Sequence, residues 1–274
     1  MPGPPAAPSP AVPRGGGLDQ GREIDLPGGP DAALLLHGLT GSTFELHPLA
    51  ARLHAAGVRV LAPVMAGHGG EPEALRGVPF GEWVARAAQH LSRLRGSRRT
   101  LVVGGSMGGL VACALAHRHP TDVAGLLLLA PAFELRLPGK VAAVLGSLGP
   151  LRRLVLKKGG FDVRDVEMGR RNGRSALAAV PLSAVAELRA LSRAVKQILP
   201  EVSAPALVLV GARDHTVTVR GARRLVAALG GRAELLVLPE SQHLLGIDVE
   251  RERCADLALR FLEELPLPPN PKGR

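Results

Sequence analysis

Leu101-Val102-Val103-Gly104-Gly105-Ser106-Met107-Gly108-Gly109-Leu110 is the stretch that decides the fold. β-branched and apolar residues run into Gly104-Gly105-Ser106-Met107-Gly108, and a small-residue helical pattern follows. G-x-S-x-G between a strand and a helix is the pattern of a nucleophile elbow, which presents a serine hydroxyl at a sheet edge. The turn is sharp and strained, and side chains at 104 and 108 would collide with the neighbouring strand and helix, so glycine is needed there. A plain Gly-rich turn, or one that cradles phosphate, would carry the same five residues. Partners for Ser106 therefore have to be found elsewhere in the chain.

Working outward, short continuous apolar runs recur at Ala32–His37, Val58–Ala62, Val123–Leu129, Ala206–Val210 and Ala233–Leu238. Such runs predict parallel strands covered on both faces. Helical patterns lie between them: after Ser42 or Thr43 up to the stop at Gly57, from Gly81 to Leu94, from Met107 to about His119, from Val219 to Leu229, and from about Val249 to Leu262. This alternation predicts an α/β class protein, a mostly parallel doubly wound sheet. It breaks between Pro131 and about Pro200, where helical periodicity (Val141–Leu148, Leu151–Leu156, Leu182–Leu199) appears without a convincing strand. An insertion at about 132–200 is placed to form a small helical cap over the carboxyl edge of the sheet. The reading divides the chain into a disordered Pro/Gly-rich tail at 1–22, a domain at 23–265 that carries the cap, and a short tail at 266–274.

Composition narrows the classes. The chain has 274 residues with 46% hydrophobic residues, enough for one large core. No apolar run approaches the ~20 residues of a membrane span, and the N-terminus lacks the basic and apolar regions of a secretory signal. A cytoplasmic location is the expectation. The two cysteines, Cys113 and Cys254, read as buried free thiols in helices. The formal net charge of +10 is dominated by arginine, but the clusters (Arg93–Arg99, Arg152-Arg153 with Lys157-Lys158, Arg170-Arg171) are dispersed. With aromatics at 2% and no tyrosine, no stacking platform accompanies the charge, so nucleic acid is not expected as a partner. Contact with a lipid surface is left open, as is the oligomeric state.

A serine becomes a nucleophile when a base takes its proton, and the base needs an acid to orient it. In a doubly wound sheet these groups gather beyond the carboxyl ends of strands. Asp214, in the exit loop of Ala206–Val210, and His243, in the exit loop of Ala233–Leu238, meet that condition. The order Ser106…Asp214…His243 is that of an α/β-hydrolase. His215 adjoins Asp214 and reads as local packing. His37 reads as a satisfied structural histidine, and His68 as a brace for its own Gly-His-Gly loop. His47, His54, His90, His117 and His119 fall on helices, Asp248 reads as the N-cap of the last helix, and Asp122 lies at the wrong sheet end. Backbone N–H donors for a developing oxyanion are expected from Met107 and, in His37-Gly38-Leu39-Thr40-Gly41, from Leu39. No metal spacing is found.

HGLTG at 37–41, APVMAGHG at 62–69, GGSMGG at 104–109, VGARDHTV at 210–217 and SQHLLGIDVERE at 241–252 together resemble the bacterial carboxylesterases and the related monoacylglycerol lipases of the α/β-hydrolase superfamily. The similarity runs from about 30 to 265 and is weakest in the cap. It implies an α/β-hydrolase fold, no cofactor and no metal, with Ser106 as nucleophile, Asp214 as acid, His243 as base, and the oxyanion donors on Leu39 and Met107. It also implies a carboxylesterase acting on small-molecule esters of short to medium acyl chains. A monoacylglycerol lipase or another activity of the fold, such as a thioesterase, is the alternative, and a non-catalytic binding module ranks behind both. The extra N-terminal tail and the aromatic-poor cap depart from the family pattern, and the cap leaves the acyl-chain preference undefined.

Overall fold

A computed structural model describes residues 21–145, 147–148, 155–157 and 162–267. The expected tail over 1–20, the basic pair Arg152-Arg153 and the last seven residues lie outside the described residues. The sheet has seven strands: β1 (Ile24–Leu26), β2 (Asp31–Leu36), β3 (Arg59–Ala62), β4 (Arg99–Gly105), β5 (Gly125–Leu129), β8 (Ala206–Gly211) and β9 (Ala233–Leu238), in the order β1-β3-β2-β4-β5-β8-β9. All pair in parallel except β1, which runs antiparallel to β3 at one edge. The four central strands owe their continuous apolar runs to burial on both faces: every residue of β2, β5 and β8 is buried, and β4 is buried as far as Gly104. β9, at the other edge, is mostly part-exposed.

The helices are α1 (His47–Ala55), α2 (Phe80–Ser92), α3 (Met107–Arg118), α4 (Leu137–Leu145), α5 (Val166–Asn172), α6 (Leu182–Ile198), α7 (Val219–Ala228) and α8 (Arg251–Glu264). α1 packs against α8, while α2 and α6 pack against α3. α3 is buried from Met107 to Ala116, and its Gly-Gly-Leu-Val-Ala-Cys-Ala run lets the helix lie close to the sheet. Among the described residues no helix is long and apolar enough to cross a membrane. Cys113 and Cys254 are buried free thiols, and burial pushes both up to about 12.

Three features differ from the sequence reading. β1 was not foreseen: Ile-Asp-Leu, closed by Pro27, is too short to show periodicity, and pairing with β3 is what makes it a strand. The insertion is not purely helical, because β6 (Val155–Lys157) and β7 (Ala179–Pro181) form a two-stranded antiparallel sheet where Leu151–Leu156 suggested helix. The first helix opens with a 3₁₀ turn, Thr43–Leu46, in which Ser42 caps by accepting from Phe44 N–H at 3.2 Å.

The chain leaves β2 for β3 on one side and returns to β4 on the other, so the sheet reverses direction between β2 and β4. A crevice forms outside the carboxyl ends at such a switch point. There the backbones approach closely. A Cβ on Gly104 would lie 2.3 Å from the Gly108 carbonyl oxygen, and one on Gly108 would lie 2.1 Å from the Leu36 carbonyl oxygen. Gly81, in the first turn of α2, has open space where its Cβ would point. Gly108→Ala should therefore cost on the order of 3 kcal/mol or more, since backbone must move. Gly81→Ala should be neutral to stabilising by up to about 1 kcal/mol. Urea unfolding of both variants measures the contrast.

Candidate active site

Ser106 sits at φ 50° and ψ −111°, a conformation L residues rarely adopt. Its backbone is fixed on both sides. Its N–H donates to the Leu129 carbonyl at 2.9 Å, and its carbonyl accepts from Gly109 N–H at 3.1 Å and Ala132 N–H at 3.0 Å. Thr40 and Ala130 are the other non-glycine residues with positive φ among the described residues, at 59° and 44°. The three strained positions follow β2, β4 and β5, so strain is concentrated at one end of the sheet, as at many functional sites. The Ser106 hydroxyl does not cap α3. It is left free to face another partner.

That partner is His243. The exit loops of β8 and β9 bring Asp214 and His243 to the elbow, with Asp214 2% and His243 8% exposed. His243 Nδ1 lies 2.8 Å from Asp214 Oδ2, and His243 Nε2 lies 2.9 Å from Ser106 Oγ. Asp214 Oδ1 accepts backbone N–H groups of Thr216 at 2.7 Å and Val217 at 2.8 Å. An ionised carboxylate only accepts, so Nδ1 carries the proton and Nε2 offers its lone pair to the Ser106 O–H. Burial by itself would raise Asp214, but the His243 ring and the two backbone donors hold it below the usual carboxylate range. Burial would likewise lower His243; the carboxylates of Asp214, Asp162 and Glu45 outweigh it and hold the imidazole above its ordinary value.

The loop that carries His243 is fixed by two acids. Asp248, fully buried, accepts Gln242 N–H at 2.6 Å on Oδ2, and on Oδ1 Arg164 N–H at 2.8 Å, Asp165 N–H at 3.2 Å and its own neighbour Val249 N–H at 2.8 Å. The expectation that Asp248 caps the last helix is corrected: α8 starts at Arg251 with Glu250 at the cap position, and Asp248 instead clasps the His243 loop to the segment entering α5. Asp162 contributes its carbonyl, which accepts His243 N–H at 3.1 Å and Leu244 N–H at 3.2 Å. Gly211 makes the approach feasible, because a Cβ there would fall 2.2 Å from the Gln242 carbonyl oxygen.

The loop after β2 faces Ser106 from the other side. A Cβ on Gly38 would lie 3.2 Å from Ser106 Cβ, which sets Leu39 beside the elbow. Among the described residues, the N–H groups of Leu39 and Met107 enter no other hydrogen bond outside the regular elements. Two neutral histidines brace this loop. His37 donates from Nδ1 to the Gly38 carbonyl at 2.9 Å and accepts Met65 N–H at 3.1 Å on Nε2. Burial, with His68 beside it, pushes His37 down to about 3. His68 accepts Thr40 N–H at 3.0 Å on Nε2 and donates from Nδ1 to the Ala66 carbonyl at 3.0 Å, so it ties its own loop to the one after β2.

Glu45 was not foreseen. It is 4% exposed, accepts Gly38 N–H on Oε1, and lines a small niche with Ser106, His243, Leu129 and Leu244. A Cβ on Gly41 would lie 2.6 Å from Glu45 Oε2, so the glycine makes room for the carboxylate. Asp162 was also missed, because it follows no strand. The signal available for Glu45 was an acid placed four residues after the Gly41 turn among residues otherwise fit for burial. His215 is exposed, in keeping with a local role.

Asp162, Asp214 and His243 form the one group of three potential metal donors among the described residues, with atoms within 4.8 Å of one another. Both ring nitrogens of His243 are already engaged with Asp214 and Ser106, so the set fits a hydrogen-bond chain better than an ion. Much of the basic charge is spent on structure: Arg93 meets Glu23 and Asp25, Arg95 meets Asp122, and Arg98 and Arg99 both grip Asp31.

Comparison with known proteins agrees with this fold. The chain is 29% identical over 235 residues to a thermostable monoacylglycerol lipase of Bacillus sp. (strain H-257), covering 85% of this chain and 90% of that one. It is 25% identical over 241 residues to a carboxylesterase of Bacillus subtilis (strain 168), covering 87% and 94%. Among solved structures, a metagenome-derived lipolytic enzyme described with LipS and LipT superposes with a TM-score of 0.80 at 25% identity, covering 89% of this chain and 98% of that one. The family described as serine aminopeptidase, S33, matches residues 30–250. With the elbow, the sheet order and that match over most of its length, the chain belongs to the serine aminopeptidase S33 family and has the α/β-hydrolase fold.

Proposed function

We propose that the chain is a serine carboxylic-ester hydrolase that works through Ser106, His243 and Asp214. The observation that carries this reading is the unbroken hydrogen-bond chain from Ser106 Oγ through His243 to Asp214, built on a strained serine. In the first half-reaction Ser106 Oγ attacks the ester carbonyl carbon while its proton passes to His243 Nε2. Asp214, with Nδ1–H directed at it, stabilises the imidazolium. The tetrahedral oxyanion is received by the N–H groups of Leu39 and Met107, the second also favoured by the N-terminus of α3; one such donor is typically worth about 3 kcal/mol. His243 then gives the proton to the departing alcohol. A water activated by the same base releases the acid from the acyl-enzyme.

The substrates are small-molecule esters of short to medium acyl chains, and monoacylglycerols are the second class to test, since the two Bacillus relatives bear the names of each activity. The cap, with apolar α4 and the apolar face of amphipathic α6, is where the acyl chain would be accommodated. Each CH₂ buried there contributes about 0.8 kcal/mol, so the rate profile against chain length measures the depth of the pocket.

Ser106→Ala should lower kcat/KM on p-nitrophenyl butyrate by roughly 10⁴-fold or more without change in Tm. Equal hydrolysis by the variant would overturn the assignment. A panel of p-nitrophenyl esters, monoacylglycerols and aminoacyl p-nitroanilides separates esterase, lipase and aminopeptidase; a preference for the anilides would sink the ester reading. The pH dependence follows from the base. His243 must be neutral to accept the proton, and its pKa is held above the ordinary histidine value. The acid limb of kcat/KM should therefore have its midpoint at higher pH than that of a free imidazole, as a stopped or continuous assay across buffers will read.

A further inference from the structure

Asp162 lies near the middle of the insertion, three residues before the N-cap of α5. Its backbone carbonyl receives the N–H groups of His243 and Leu244, so this residue and the base are fixed to each other through the main chain. Its side chain is held as well. Oδ2 accepts the Thr216 hydroxyl at 2.5 Å, and the same Thr216 gives its backbone N–H to Asp214 Oδ1 at 2.7 Å. Thr216 thus bridges two carboxylates on the same side of one imidazole. The ligand atoms of Asp162, Asp214 and His243 all lie within 4.8 Å of one another.

Asp162 Oδ1 is buried and has no hydrogen-bond partner. A buried carboxylate oxygen without a donor is costly in a resting structure and calls for an explanation. The catalytic cycle supplies one. His243 is neutral at rest and becomes an imidazolium while the Ser106 proton resides on Nε2. A negative charge a few ångströms away is idle in the first state and attractive in the second, and an interaction stronger in the transition state than in the ground state raises kcat.

We propose that Asp162 is a second, cap-borne positioning carboxylate for the base, holding the His243 loop through its carbonyl and stabilising the transient imidazolium with its unpartnered oxygen. The inference rests on the triad reading above. No proton reaches Asp162 in this scheme: the proton moves from Ser106 Oγ to His243 Nε2 and on to the leaving alcohol, while Nδ1–H stays directed at Asp214. The charged groups facing His243 are Asp214 from the β8 exit, Asp162 from the middle of the cap and Glu45 from the 3₁₀ turn, all acting to favour its protonated form. Behind Asp214, Arg136 donates from Nε to the backbone carbonyls of Asp214 at 3.1 Å and Val217 at 3.3 Å.

Asp162→Asn preserves shape and the backbone carbonyl while removing the charge. In the full-length chain, the His243 ring titration followed by ¹H–¹³C NMR should move to lower pH by roughly half a unit to one unit. kcat on p-nitrophenyl butyrate should fall roughly three- to tenfold, the factor such a shift corresponds to, with KM within about twofold. Asp162→Glu, which keeps the charge, should retain the wild-type midpoint. An unmoved His243 midpoint in Asp162→Asn overturns the proposal, whether kcat is kept or is lost together with Tm, because only anchoring would then be left. The NMR readout needs no substrate, so it separates this result from a failure of the ester panel or of Ser106→Ala, which would instead bear on the proposed activity.

Discussion

The first turn of α3 touches the last carbonyl of β2, and the rest of the site depends on that contact. With the Gly108 backbone against Leu36, a helix starts almost inside the sheet. The chain can make that transition only by turning sharply at one residue, and the turn falls on Ser106 with its positive φ. The same contact brings the loop after β2 alongside the elbow, so Gly38 and Ser106 are neighbours. Ser106 and the backbone N–H groups of the loop after β2 are thus placed by one packing event between strand ends. They need no loops designed separately for them.

Charge in the crevice opposes charge elsewhere. The chain as a whole carries +10, yet His243 is flanked by Asp214, Asp162 and Glu45. Holding three acids together in a largely buried site is expensive unless each is hydrogen-bonded. The chain meets most of that cost with main-chain N–H groups: Gly38 for Glu45, and Thr216 and Val217 for Asp214, with the Thr216 hydroxyl serving Asp162. Such donors are fixed in position and do not themselves titrate. The acids are therefore held rigidly, and a positive charge appearing on His243 would meet a field that has no need to reorganise.

Much of this was legible in the residues. Central strands read clearly because burial on both faces leaves a continuous apolar run, as in Leu34-Leu35-Leu36 and Leu126-Leu127-Leu128-Leu129. Asp214 read clearly because it follows such a run, and His243 because it follows the largely apolar β9, although that strand is a part-exposed edge. Edge strand β1 and the pair β6–β7 are three residues each and exist through pairing, which a linear pattern does not register. Asp248 was misread because N-capping is a local rule, whereas its carboxylate serves four backbone N–H groups drawn from three segments. Glu45 and Asp162 were missed for a related reason. Neither directly follows a strand; Glu45 gains its place from the loop after β2, and Asp162 from contacts made when the insertion meets the β8 and β9 exit loops.

The double clasp of the His243 loop has a consequence for how this fold can be rebuilt. The carbonyl of Asp162 and the carboxylate of Asp248 join the middle of the insertion to the His243 loop through backbone hydrogen bonds. An insertion of this kind is commonly treated as an exchangeable cassette, cut at its two hinges and replaced to alter specificity. Here the interior of the insertion is not independent of the rest. A chimera that replaced the segment from Asp162 to α5 would exchange part of the scaffold of His243 along with the cap, so the two would be inherited as one unit. The upstream hinge is tied in as well, since Ala132 donates to the Ser106 carbonyl and Arg136 donates to the carbonyls of Asp214, Thr216 and Val217.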